Sequence, residues 1–158
     1  MKEVSLVGKS PGYEKSFNIG GDIWCVSSIF NCLHPPKISL IFQLHELSQW
    51  EPWLSKYPEK IIVAFPAEHP YKLYPVKQML DKYGPVFGSS VSWMLALAIE
   101  QGYTKINMFG LDMASKQEYV DQRDTVFYMI GRAEALGIEV FIPSDSRLFF
   151  KDRIYGVM

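Results

Sequence analysis

Short apolar runs, mostly β-branched, alternate along the chain with stretches of helical period. The alternation predicts strands at Glu3 to Val7, Asp22 to Ser27, Ile38 to Gln43, Lys60 to Phe65, Lys105 to Phe109 and Glu139 to Ile142. Several of these are continuous apolar runs, the pattern of strands covered on both faces. Helices are predicted at Ser48 to Lys56, Val76 to Tyr83, Ser90 to Gln101 and Glu118 to Leu136. In the first, Trp50 and Trp53 share a face. The third has Ser89 or Ser90 as N-cap and Gly102 as its stop, and it is apolar nearly all round, which predicts burial on most sides. The fourth stops at Gly137 and carries Gly131 inside it, which weakens the pattern of an unbroken rod. Irregular loops are expected from His34-Pro35-Pro36 and from Pro66 to Pro75.

Strands alternating with helices through short connections give an α/β fold, a mostly parallel sheet with helices on both faces. At 158 residues, with no repeat, linker or low-complexity stretch, the chain reads as one domain spanning 1–158. Sheets of this kind bind ligands in the crevice outside the carboxyl ends of their strands. Function is therefore sought just after each strand.

Composition narrows the choice of partner. Apolar residues make up 48% and aromatics 15%, which excludes a disordered chain. Sixteen basic against 17 acidic residues give a formal charge of -1, so no electrostatic footprint for duplex nucleic acid is present. The apolar start, Val4 to Val7, is too short for a signal peptide or a membrane span, and a cytoplasmic protein is expected, in a cell or in an infected host. Cys25 and Cys32 read as reduced, partly buried thiols, and no His/Cys spacing suggests zinc or another metal. No cofactor is implied, and a homo-oligomer stays open.

Five places carry candidate chemistry. Gly8-Lys9-Ser10-Pro11-Gly12 follows the first strand; its glycine would leave backbone N–H groups facing an anion, with Lys9 adding charge and Ser10 a hydroxyl. The spacing is too short for a P-loop, and the same residues also read as an ordinary strand-ending turn. Gly88-Ser89-Ser90 opens the apolar helix, where hydroxyls, unpaired amides and the positive end of the helix dipole suit an anion, although one serine suffices as a cap. Gly110 and Asp112 follow the strand ending at Phe109, and Asp112 could accept from a ribose or base or cap a turn. Tyr119 and Arg123 share a helix face and could clamp a phosphate, or simply pack at i,i+4 spacing. His45, directly after the third strand, suits proton transfer near neutrality, but also suits a structural role.

In sum these segments resemble the bacterial sialyltransferases that use CMP-sialic acid and share a Rossmann-like fold. That family has a Thr-Ser-Gly triplet, an Ala-rich buried helix, a Gly-Tyr-Lys-Glu-Ile strand entry and a Gly-Ile-Asp turn. The counterparts are Ser89-Ser90, the helix with Ala96 and Ala98, Gly102-Tyr103-Thr104-Lys105-Ile106 and Gly110-Leu111-Asp112. Ala135 to Ser144 is similar to the family's last helix–strand pair, so the likeness runs in order through most of the chain. The sequence looks closer still to a group of uncharacterised bacteriophage proteins. They share its Ser-Ser-x-x-Trp-Met-Leu-Ala-Leu-Ala-Ile helix, Gly-x-Asp-Met turn and Glu-Tyr-x-x-Gln-Arg segment, here Ser89 to Ile99, Gly110 to Met113 and Glu118 to Arg123.

The resemblance implies a site for a phosphorylated nucleotide, held by Gly8, Lys9, Ser10, Ser89, Ser90, Gly110 and Asp112, with Tyr119 and Arg123 on the phosphates. It also shows departures. Lys9-Ser10-Pro11-Gly12 replaces the family's Gly-Pro-Ser, and Val91 stands where the triplet has glycine. The family's catalytic histidine lies beyond the Asp turn, but here no histidine follows His69. Three functions are therefore carried forward. One is a transferase using a nucleotide-activated, CMP-sugar-like donor, with His45 as general base. Another is a non-catalytic phage protein that sequesters a nucleotide-derived signal. The third is an interaction protein using Trp50, Trp53 and the aromatic tail Phe149, Phe150 and Tyr155.

Overall fold

The computed structural model describes residues 1–27, 29, 37–45, 56–65, 71–114 and 117–149. Its centre is a fully parallel sheet of β1 (Glu3–Val7), β2 (Asp22–Val26), β3 (Leu40–Gln43), β4 (Ile61–Val63), β5 (Lys72–Leu73), β6 (Lys105–Phe109) and β7 (Glu139–Phe141). The helices are α1 (Val76–Tyr83), α2 (Ser90–Glu100) and α3 (Gln117–Ala135), joined by 3-10 turns at Tyr13–Asn18 and Pro58–Lys60. This is the expected α/β Rossmann-like class.

The strands lie in the order β5-β4-β3-β2-β1-β6-β7. The chain lays its first five strands outward from β1, then crosses back and continues on β1's other side. The junction of β1 and β6 is thus the place where connections leave in opposite directions and a crevice opens.

The apolar runs explain the central strands. Val4 and Leu6 of β1 join Trp24, Leu40, Phe42, Ile62, Ile106 and Met108 on one face, under α1, α2 and α3. Val7, Ile23, Cys25, Ile41, Ile61 and Val63 point to the other, where Tyr13 and Phe17 of the 3-10 turn pack. Burial on both sides is why these strands read as continuous rather than alternating runs. It also pushes the Cys25 thiol pKa far up, which keeps that thiol protonated and inert.

At the amino end of the sheet, Glu3, Lys105 and Glu139 stand side by side in register across β1, β6 and β7. Lys105 pairs with Glu139 at 3.1 Å and lies 3.7 Å from Glu3, while Asn107 donates to Glu3 at 2.9 Å. The polar rim thus lies opposite the crevice.

Helix α2 is buried along most of its length, as its composition predicts, and Gly102 ends it at φ 71°. Glu100 near its end accepts from Lys82 and Tyr83 of α1, each at 2.6 Å. Burial pulls that carboxyl upward, but the bonds from Lys82 and Tyr83 outweigh it and hold its pKa below the usual value.

Some boundaries shift and one element is new. The strands expected to reach Ser27, Phe65 and Ile142 end at Val26, Val63 and Phe141, and the third begins at Leu40 rather than Ile38. β5 occupies part of the stretch expected to be loop; its two residues are exposed and are fixed by backbone pairing to Ile62 and Val63. Helix α3 runs unbroken through Gly131. The helix expected at Ser48 to Lys56 lies almost wholly outside the described residues, as do Cys32, Trp50, Trp53, Phe150 and Tyr155. Among the described residues no helix is long and apolar enough to cross a membrane.

Two glycines test this packing in opposite directions. A Cβ on Gly8 would lie 2.4 Å from the Gly110 carbonyl oxygen, whereas one on Gly131 would meet nothing within 4 Å. Gly8→Ala should lower the unfolding free energy by about 2–3 kcal/mol, as overpacking against backbone does. Gly131→Ala should raise it by about 0.5–1 kcal/mol through helix propensity. Urea titration followed by circular dichroism measures both.

Candidate functional site

The β1–β6 junction is closed by backbone alone. The Gly8 N–H donates to the Phe109 carbonyl at 2.9 Å, and the Ser10 N–H donates to the Gly110 carbonyl at the same distance. A Cβ on Gly110 would stand 2.7 Å from the carbonyl oxygens of both Gly8 and Ser10, and Gly110 sits at φ 62°. Only glycines let the two loops approach this closely. The amides of Gly8 and Ser10, expected to face an anion, are instead committed to this seam.

Above the seam lies a cavity of about 870 Å³. Its wall contains Gly8, Lys9 and Ser10 after β1, His45 after β3, Ser89 and Ser90 at the start of α2, and Gly110 and Asp112 after β6. Residues far apart in sequence thus meet because parallel strands all end on the same side.

At the start of α2 the local sequence builds a reciprocal cap. The Ser92 N–H donates to Ser89 Oγ and the Ser89 N–H donates to Ser92 Oγ, both at 3.3 Å. The first intrahelical bond is made by the Trp93 N–H, at 3.4 Å to the Ser89 carbonyl. The amides of Ser90 and Val91 therefore have no partner among the described residues, and both residues line the cavity. Of the two serines, Ser89 supplies the cap, and both belong to the cavity lining.

Asp112 is half-buried at the cavity edge, and its Oδ1 accepts from Ser146 Oγ at 3.2 Å and from the Arg147 N–H at 3.1 Å. It acts as a cap for the segment after β7. Arg123 departs from its expected role as a phosphate clamp. Its guanidinium donates to the carbonyls of Arg147 and Leu148 and is not part of the cavity wall. Tyr119 belongs to α3, but its side chain lies outside the described part of the structure.

Two wall features escaped the sequence reading. Phe87 and Trp93 stack with ring centroids 3.7 Å apart and planes 10° from parallel. Trp93 is held further by Tyr74, whose ring meets it edge-on at 5.1 Å and whose hydroxyl donates to the Trp93 carbonyl at 2.8 Å. The spacing of Phe87 from Trp93 bridges a loop and a helix, so no helical period could reveal it. The other feature is Arg147, an exposed residue of the segment after β7 that belongs to the cavity lining. Among the described residues the lining holds two cations, Lys9 and Arg147, and one carboxylate, Asp112. Among the described residues no cluster of three or more His, Cys, Asp or Glu could hold a metal.

No protein-family model and no curated protein sequence matches this chain. Solved structures do. The sialyltransferase CstII from Campylobacter jejuni, in complex with the substrate analogue CMP-3FNeuAc, aligns with a TM-score of 0.61 at 16% identity, over 90% of this chain and 80% of that one. The same sialyltransferase in complex with cytidine-5'-monophosphate gives 0.50 at 15% identity, over 94% and 82%. The chain has a sialyltransferase-like fold.

The reciprocal cap makes a measurable claim about Ser89. Ser89→Ala should destabilise the protein by about 1 kcal/mol, the usual cost of losing an N-cap. Ser90→Ala should change stability by less than half as much, because Ser90 does not cap. Thermal melts of the two variants compare them directly.

Proposed function

We propose that the cavity binds a nucleotide-activated sugar, CMP-linked in the manner of the sialyltransferase donors, and that the protein transfers the sugar to an acceptor hydroxyl. The observation that carries the reading is the cavity's place and lining: it opens at the β1–β6 switch point, and its lining includes a helix N-terminus and the cationic residues Lys9 and Arg147. Its volume of about 870 Å³ suits a ligand of nucleotide-sugar size. The stacked Phe87–Trp93 pair offers an apolar wall for a planar base or sugar face. The likeness in fold to a sialyltransferase solved with CMP-3FNeuAc agrees with that chemistry.

In this reading the amides of Ser90 and Val91 and the Lys9 ammonium face the ligand's phosphate, where a helix N-terminus favours negative charge. Gly8, Ser10, Ser89, Gly110 and Asp112 shape the floor and edge. The acceptor oxygen attacks the anomeric carbon, the bond from that carbon to the phosphate oxygen breaks, and the nucleotide monophosphate leaves. His45, an exposed residue on the wall, takes the acceptor's proton. In this reading the protein is phage-encoded, as its resemblance to bacteriophage proteins implies, and acts in a host cytoplasm.

A second reading has its own support. The sialyltransferase pattern has its catalytic histidine beyond the Asp turn, but this chain has none after His69. A protein that captures a nucleotide-derived signal without turning it over needs the same cavity and no such histidine.

Titration calorimetry with CMP, UMP, AMP, GMP and a CMP-sugar tests the binding. A dissociation constant in the micromolar to millimolar range, about -8 to -4 kcal/mol, is expected for at least one of them. The absence of heat with all five rejects both readings. His45→Ala should slow sugar transfer by about 10²–10⁴-fold, the usual reach of general-base catalysis, and leave donor affinity within about twofold. Recovery of intact CMP-sugar from the wild type after prolonged incubation with acceptors selects the capture reading.

A further inference from the structure

Residues 142–149, which follow β7, have no regular secondary structure, yet they are fastened residue by residue. The Ser146 N–H closes a turn on the Pro143 carbonyl at 2.9 Å. Asp145 pairs at 2.6 Å with Lys15, on the 3-10 turn that follows the β1 loop. Ser146 Oγ and the Arg147 N–H both donate to Asp112 Oδ1. The carbonyls of Arg147 and Leu148 both accept from Arg123. Leu148 is fully buried in the core, and Phe149 stacks on Phe127 with centroids 4.9 Å apart.

The backbone of Arg147 is therefore held at both its N–H and its carbonyl, and the residue is exposed and lines the cavity. Both holding residues, Asp112 and Arg123, are ones whose pattern suggested ligand contact. From this arrangement we infer that Arg147 is the residue that recognises the ligand's oxyanion, and that Asp112 and Arg123 are positioning residues acting through it. The inference rests on the nucleotide reading above and assigns its charge recognition.

The physical basis is preorganisation. A guanidinium presents a planar fork of donors that matches the paired oxygens of a phosphate or a carboxylate. Fixing the backbone beneath it removes part of the ordering cost that a flexible tail would bring to binding. A CMP-sugar of the sialic acid type carries both kinds of oxyanion, the phosphate and the sugar carboxylate, and Arg147 would serve either.

The test is calorimetry with cytidine, CMP and CMP-sialic acid on the wild type, Arg147→Ala, Asp112→Ala and the double variant. If the phosphate is the partner, Arg147→Ala should weaken CMP and CMP-sialic acid by about 10- to 100-fold and leave cytidine unchanged. If the carboxylate is the partner, only CMP-sialic acid weakens. Asp112→Ala should weaken the same ligands, and the double variant should be no weaker than Arg147→Ala alone, because the two act through one contact. Equal affinities for wild type and Arg147→Ala across all three ligands overturn the inference and leave the nucleotide reading standing. Full additivity of the two substitutions, or weaker cytidine binding by Asp112→Ala, makes Asp112 a ligand and overturns its positioning role. No heat from the wild type with any of the three overturns both.

Discussion

The close approach of Gly8 and Gly110 is the constraint from which the rest of the architecture follows. Two loops that leave neighbouring parallel strands are tied by a pair of 2.9 Å backbone hydrogen bonds, with no room for a side chain on either glycine. Because β1 and β6 are far apart in sequence, this contact fixes where the chain's return crossover must arrive. It also sets the floor on which the ends of β3, the start of α2 and the segment after β7 converge.

The sequence made the central strands and α2 legible because their signals are redundant. Val4 to Val7, Ile38 to Phe42 and Lys105 to Phe109 combine β-branched or bulky apolar residues with turn formers at their ends, and burial on both faces demands that pattern. Gly88-Ser89-Ser90 announces a helix start through chemistry local to the cap. Lys72 and Leu73 give no such signal, because β5 is held by main-chain pairing at an edge where its side chains stay exposed. The helical period placed Arg123 on a face with Tyr119 but said nothing of what that face would meet. Its guanidinium found carbonyls of a segment 24 and 25 residues later in the chain. The Gly8 and Ser10 amides followed the same rule: their partners come from β6 and its loop, and no local pattern could show that they are taken.

The cavity lining combines two chemistries. Part of it is apolar and aromatic, with Phe87 stacked on Trp93 and Trp93 locked by Tyr74. Part is polar, with Lys9, Arg147 and the amides at the α2 start. A molecule that joins a flat ring to a negative group is the natural complement to such a lining. The polar ladder of Glu3, Lys105 and Glu139 lies at the opposite end of the same strands, where charges satisfy one another across the sheet.

The stacked Phe87–Trp93 pair has a practical corollary. An indole in the wall of a water-accessible cavity has its emission set by the polarity and electron-accepting power of whatever lies against it. Trp24, by contrast, is sealed in the core at 2% exposure and is insulated from such changes. The protein thus carries a built-in optical reporter at the place where its chemistry is expected, and occupancy can be followed by fluorescence without attaching a dye.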